Sequence, residues 1–144
     1  MAGRLRDFRT MRRGGAVIEM VLVLPLLLML SFGAVEYGYL LYVKNTLVGA
    51  AQNGVRAGIP ASATNSSVTT AVSNTMMAAG LQSSGYTLTT SPTDVSTATA
   101  GSSVQVTVSC TWGNVGVNPL PTWLGGISSS KVVSGVAVMR KESN

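Results

Sequence analysis

The hydrophobic pattern changes character twice along the chain. From Gly14 to Val43, 30 consecutive residues carry no basic side chain, and the 16 between Glu19 and Glu36 carry no charge. At about 1.5 Å per residue, a helix over Gly15–Val43 reaches ~40 Å, more than the ~30 Å hydrocarbon core of a bilayer. It is apolar on every face, so a domain of this size could not bury it, and a membrane-spanning helix is predicted. Beyond it Val43, Leu47, Ala51, Val55 and Ile59 recur every four residues until Pro60, so the helix is expected to continue past the membrane. Gly49, Ala50, Ala51, Gly54, Ala57 and Gly58 make one side of that extension slim enough for close backbone packing, against the chain's own domain or against another subunit.

A second helix is marked by Val68, Ala71, Val72, Thr75, Met76 and Ala79, with Asn65 or Ser66 to cap its start and Gly80 to end it. The Met76-Met77 pair reads as core filling. After Gly80 the period falls to two. "GYTLTT" reads as a short strand, and "SVQVTVSCTW" puts Val104, Val106, Val108 and Cys110 on one face. "KVVSGVAVMR" supplies a third strand after a Gly- and Pro-rich loop bracketed by Trp112, Leu120, Trp123 and Leu124, which are expected to cover the edge of the core rather than to form an exposed docking patch. The predicted class is α+β: a long N-terminal transmembrane helix continuing outside the membrane, then a second helix and a three-stranded antiparallel sheet. Its parts are a basic leader (1–14), the transmembrane and extended helix (15–59) and a small exported domain (60–144).

Charge sets the orientation. Of ten basic residues, Arg4, Arg6, Arg9, Arg12 and Arg13 all precede Gly14, while the chain after Gly14 carries five cations against four carboxylates. The basic balance therefore belongs to a short leader, which excludes a nucleic-acid partner. It also places the N-terminus in the cytoplasm and the domain outside. Tyr37, Tyr39 and Tyr42 then fall near the outer interface, rings in the boundary and hydroxyls in water. No small-x-small site closes the apolar run as in a removed secretory signal. Pro25 interrupts the helix and is expected to kink it.

The chemistry-bearing residues are few. There is no histidine and one cysteine, and only Asp94 and Glu142 are carboxylates beyond the membrane. No P-loop, dinucleotide fingerprint, metalloprotease or nucleophile-elbow motif is present, so neither a catalytic, a cofactor nor a metal site is expected. Glu19 is the exception, because a carboxylate at the edge of hydrocarbon needs a partner. If the chain were cut between Gly14 and Gly15, the new α-amine (intrinsic pKa about 8) would be charged one helical turn from Glu19. The two could pair within one chain or between neighbouring subunits, and the cut would remove the arginine anchor. In an uncut chain Glu19 would instead pair with Arg12 or Arg13. Glu36, at the other end, is expected to be hydrated or to contact a neighbouring subunit.

Gly14 followed by "GAVIE" resembles a type IV prepilin processing site: a glycine, a cut, and a glutamate as fifth mature residue. The segment through "AAQNGVRAGI" is similar to the TadE-like family of minor pseudopilins. It has Gly-Ala-x-x-Glu, a Leu/Val-rich run broken by Pro25, a second glutamate among aromatics, and an Ala-Ala-x-x-Gly-x-Arg stretch. The resemblance implies a subunit of a tight-adherence (Flp-type) pilus in the bacterial inner membrane, processed by a membrane-embedded aspartyl prepilin peptidase. Its partners would be other pilins or pseudopilins, the Tad assembly machinery and membrane lipid. Major Flp pilins carry Glu-Tyr where this chain has Glu19-Met20, and they are far shorter, which points to a minor subunit. The competing reading is an uncleaved single-span protein whose outer domain binds a surface or scaffolding partner.

Overall fold

The computed structural model describes the backbone of residues 8–142 and the side chains of residues 15–142. Three α-helices, α1 (Phe8–Gly58), α2 (Asn65–Ala78) and the single turn α3 (Trp112–Val115), accompany the strands β1 (Thr87–Ser91), β2 (Ser103–Thr111) and β3 (Val132–Arg140). The strands form one antiparallel sheet in the order β1-β2-β3, with Leu88 opposite Val108 and Val108 opposite Gly135. The predicted α+β class and its three strands are present.

Helix α1 has 51 residues and runs unbroken through Pro25, a length of roughly 75 Å at 1.5 Å per residue. Proline supplies no N–H, so the Val21 carbonyl lacks its helical donor, a loss that neighbouring helices or local adjustment can re-satisfy in a membrane. The helix begins before Gly15, so residues 8–14 of the leader share it.

Val43, Leu47, Ala51 and Val55 are all fully buried, as their four-residue spacing requires. They lie between α2 and the sheet. A Cβ added at Gly54 would meet Val72 Cγ2 of α2 at 2.7 Å and Val106 Cγ1 of β2 at 3.2 Å. At Gly135 an added Cβ would come within 2.3 Å of the α1 backbone at Leu47 and Val48. Helix and strand thus touch backbone to backbone, and only glycine fits there. The slim side of α1 is therefore used, at Gly54 and Gly58, to pack on the chain's own α2. The core draws on residues on both sides of the 59/60 boundary: α1 is its centre.

Helix α2 starts one residue earlier than its expected caps. Thr64 is the N-cap, its Oγ1 accepting from the Ser67 N–H at 3.3 Å while the Ser67 hydroxyl accepts from the Thr64 N–H at 3.2 Å. Asn65 is engaged elsewhere: its Nδ2 donates to Thr93 O and its Oδ1 accepts from Val95 N–H, tying the helix start to the β1–β2 connection. Gly80, at φ +70°, ends the helix as predicted, with Gly80 N–H to Met77 O and Leu81 N–H to Met76 O closing a Schellman motif. Met76 is core, but Met77 points outward with 59% exposure, so only one of the pair fills the interior. The next position on the same helix simply faces away.

Candidate membrane and assembly site

The candidate site is α1 itself, read from its bare end toward the domain. Val17, Ile18, Met20, Val21, Leu22 and their neighbours through Phe32 are exposed, and no described residue covers them. An uncovered run of this length is stable only in contact with lipid or with other subunits. Gly15 and Glu19 are exposed at its start, and space is open around the Gly15 Cα. Four residues of helix separate them by ~6 Å of rise. Arg12 and Arg13, the alternative partners of Glu19, have side chains outside the described residues.

At the other end the structure corrects the expectation for Glu36. Its side chain is fully buried, and its Oε1 accepts the Ile127 N–H at 2.7 Å. The carboxylate is therefore neither hydrated nor free for a neighbouring subunit, because the chain's own β2–β3 connection folds back over it. Its Oε2 has no hydrogen-bond partner among the described residues. Leaving a buried acceptor unpaired costs about 1–3 kcal/mol, more for a charged group, which offsets part of what the Ile127 bond contributes.

The tyrosines are drawn into the fold only in part, Tyr37 and Tyr42 staying 50% and 46% exposed. Tyr39 is half-buried and lies between Tyr42 and Trp112, with ring centroids 5.8 and 6.0 Å away. The Tyr42 hydroxyl donates to Ala79 O at 3.0 Å, and the Tyr37 hydroxyl to Gly125 O at 3.4 Å. Trp112 is fully buried and donates from Nε1 to Asn118 Oδ1 at 2.9 Å. Trp123 is not part of that cover: it is 81% exposed, which corrects the expectation that all four bracketing residues close the core.

Sequence reasoning missed Lys141. It is 5% exposed, and its Nζ donates to Gly58 O at 3.3 Å and Val95 O at 2.9 Å. It thereby gives a donor to the last carbonyl of α1, where the helix dipole is negative, and ties it to the β1–β2 connection through Val95. A lysine ending a strand carries no signal that its head turns inward. Elsewhere, burial pushes the Cys110 thiol up, away from the thiolate form, as expected for a structural cysteine. The Asp94 carboxyl is held below its ordinary value by the hydroxyl and N–H of Ser96.

These features define a membrane-anchored protein: one exposed apolar helix, long enough to span a bilayer, whose far half is the centre of a small α+β domain. Residues 14–56 match the family model described as TadE-like protein, beginning at Gly14 and ending two residues before α1 does. That match relates the chain to the Tad pilus machinery. No curated protein and no solved structure matches the chain.

Proposed function

We propose that the chain is a minor pseudopilin, a structural rather than catalytic subunit of a Tad (Flp-type) pilus. It is inserted in the inner membrane with its N-terminus inside and its domain outside, and it is cut after Gly14 by a prepilin peptidase. The observation that carries this reading is the relation of Gly14, Gly15 and Glu19 at the mouth of a bare apolar helix.

Cleavage would do two things at once. It would remove the five arginines that hold the helix on the cytoplasmic side, and it would create an α-amine one turn from Glu19. In hydrocarbon each charge is expensive alone and tolerable when paired. The pair of glycines at the cut lowers the cost of unwinding the helix there into a protease, since glycine is the poorest helix former after proline. Once extracted, the exposed run from Val17 to Phe32 would exchange lipid for the helices of neighbouring subunits. Because the domain core is built on residues 43–55 and not on the spanning run, extraction would leave that core intact.

The test is the intact mass and amino-terminal sequence of protein taken from membranes of its native host. A chain beginning at Gly15 supports the reading, and Gly14→Val should then trap the longer form. A chain retaining the arginines would make it a permanent anchor whose domain binds a partner. Glu19→Ala should abolish pilus incorporation while leaving insertion intact; normal pili from that variant would count against the role given to Glu19.

A further inference from the structure

The connection between β2 and β3 holds an unpaid-for exposure. Trp123 is 81% exposed, the highest value among the large apolar side chains of the described residues, and Val117, earlier in the same connection, is 52% exposed. A single exposed apolar side chain is ordinary on a soluble surface, so what this one meets is decided by where the loop sits. The loop also carries no charge: from Val95 to Ser130 there is no Asp, Glu, Lys or Arg.

The loop's place on α1 says what it meets. Ile127 and Gly125 are bonded to Glu36 and Tyr37, and a Cβ at Gly33 would lie 3.8 Å from Leu120 Cδ1. The loop therefore rides on α1 over residues 33–37. From Gly15 to Gly33 the helix rises ~27 Å, close to the ~30 Å of a hydrocarbon core, so this is the level at which α1 leaves the acyl chains on the domain's side. Tryptophan is enriched at that depth because its ring is apolar and its indole N–H can reach water or a headgroup.

The backbone of the loop is suited to the same place. Thr122–Leu124 form a 3-10 turn closed by Leu124 N–H to Pro121 O and Gly125 N–H to Thr122 O, with Gly126 N–H also reaching Pro121 O. Local pairing of this kind is what a loop near hydrocarbon needs, since unpaired peptide groups are costly there. Gly125 sits at φ +94°, and a Cβ on Gly126 would strike the Leu120 carbonyl, so the turn is tight and holds Trp123 at its tip.

We infer that the segment Pro119–Gly126 is a membrane-docking surface, with Trp123 seated in the headgroup–acyl boundary of the leaflet that α1 leaves on the domain's side. The occupant is lipid, because the loop is continuous with the exposed apolar run of α1 and lies at its edge. Docking fixes the domain against the bilayer at two points, the helix and the tryptophan. It also explains why the loop covers Glu36: at this depth an uncovered carboxylate would face headgroups and acyl chains. The inference needs only that α1 spans a bilayer, so a negative result for processing or pilus incorporation leaves it standing.

Depth-dependent quenching tests it on the full chain reconstituted in phosphatidylcholine vesicles. The fluorescence that Trp123→Phe removes from the wild-type spectrum belongs to Trp123, and this exposed position can be changed without opening the core. Lipids brominated near the headgroup end of the acyl chain should remove more than half of that signal, and aqueous iodide should quench it several-fold less than free tryptophan. Thr70→Trp on the Trp123→Phe background is the control, being exposed on α2 where that helix packs near Gly58, ~33 Å along α1 from Glu36. It should show the opposite pattern. Iodide quenching of Trp123 equal to free tryptophan, with no effect of bromolipid, would overturn the proposal. Protection from both quenchers would overturn it as well; if that protection faded on dilution with lipid, the occupant would be a second copy of this chain.

Discussion

The two halves of α1 are one continuous helix in two different solvents. Residues 20–32 carry no charge and are exposed on all sides, whereas from Glu36 onward buried and half-buried positions recur at helical spacing and meet α2, β2 and β3. The first half has to be uniformly apolar because lipid surrounds it. The second has one face for the core and another, with Lys44, Asn45, Gln52, Asn53 and Arg56, for water. A substitution of the same type should therefore mean different things in the two halves.

The largest contrast is expected between Leu47→Ala and Leu26→Ala. Leu47 is fully buried, and its truncation should cost ~2–5 kcal/mol of domain stability. Leu26 is 67% exposed and outside the core, so its truncation should leave the thermal midpoint of the domain unchanged in detergent. A midpoint that fell equally for both would mean that the bare half belongs to the folding unit.

Glycines sharpen the comparison next. Gly135→Ala forces a methyl group against the α1 backbone, which cannot rotate away, and should cost about 1–3 kcal/mol or more. Gly49→Ala meets nothing within 4 Å and should be neutral or slightly stabilising, since alanine is the better helix former. Denaturant unfolding of the two variants gives the difference directly.

At the junction of the halves, Glu36→Ala should free the Ile127 N–H and cost ~1–3 kcal/mol locally. Hydrogen exchange should show it as loss of protection at Ile127 and its neighbours, with the β2–β3 ladder unaffected. Protection that survived the substitution would show that packing alone holds the loop.

The smallest effect is expected far from α1's bare half. The Asp94 carboxyl has a folded-state pKa below its unfolded one, so its contribution is fully present above the ordinary aspartate value. It is lost as pH falls through the lower, folded value. Its exposure makes the effect slight, and Asp94→Asn should flatten the stability curve in that acid window without moving it near neutrality.

The elements themselves were legible from local pattern. The spanning run, the four-residue spacing of Val43 to Val55 and the alternation of Val104 to Cys110 each follow from a period that a helix or strand imposes on its own side chains. The Gly15–Glu19 spacing is local in the same way, about one turn along a single helix. Local chemistry was less decisive at the start of α2, where Thr64, Asn65 and Ser66 are all competent caps and adjacency alone does not choose. Thr64 wins because Asn65 is committed to Thr93 and Val95, a contact made only after the β1–β2 connection has folded against the helix.

What the sequence by itself determined is thus the inventory: a long apolar helix that runs on into the domain, a second helix and three strands. Only the tertiary structure decided which side chains meet across long separations. Glu36 finds Ile127 at a distance of 91 residues, and Lys141 finds the end of α1 at 83. Periodicity reports whether a side chain faces a neighbour, not which neighbour arrives. A carboxylate, a lysine or a tryptophan reads the same on paper whether a loop covers it, as at Glu36, or leaves it bare, as at Trp123.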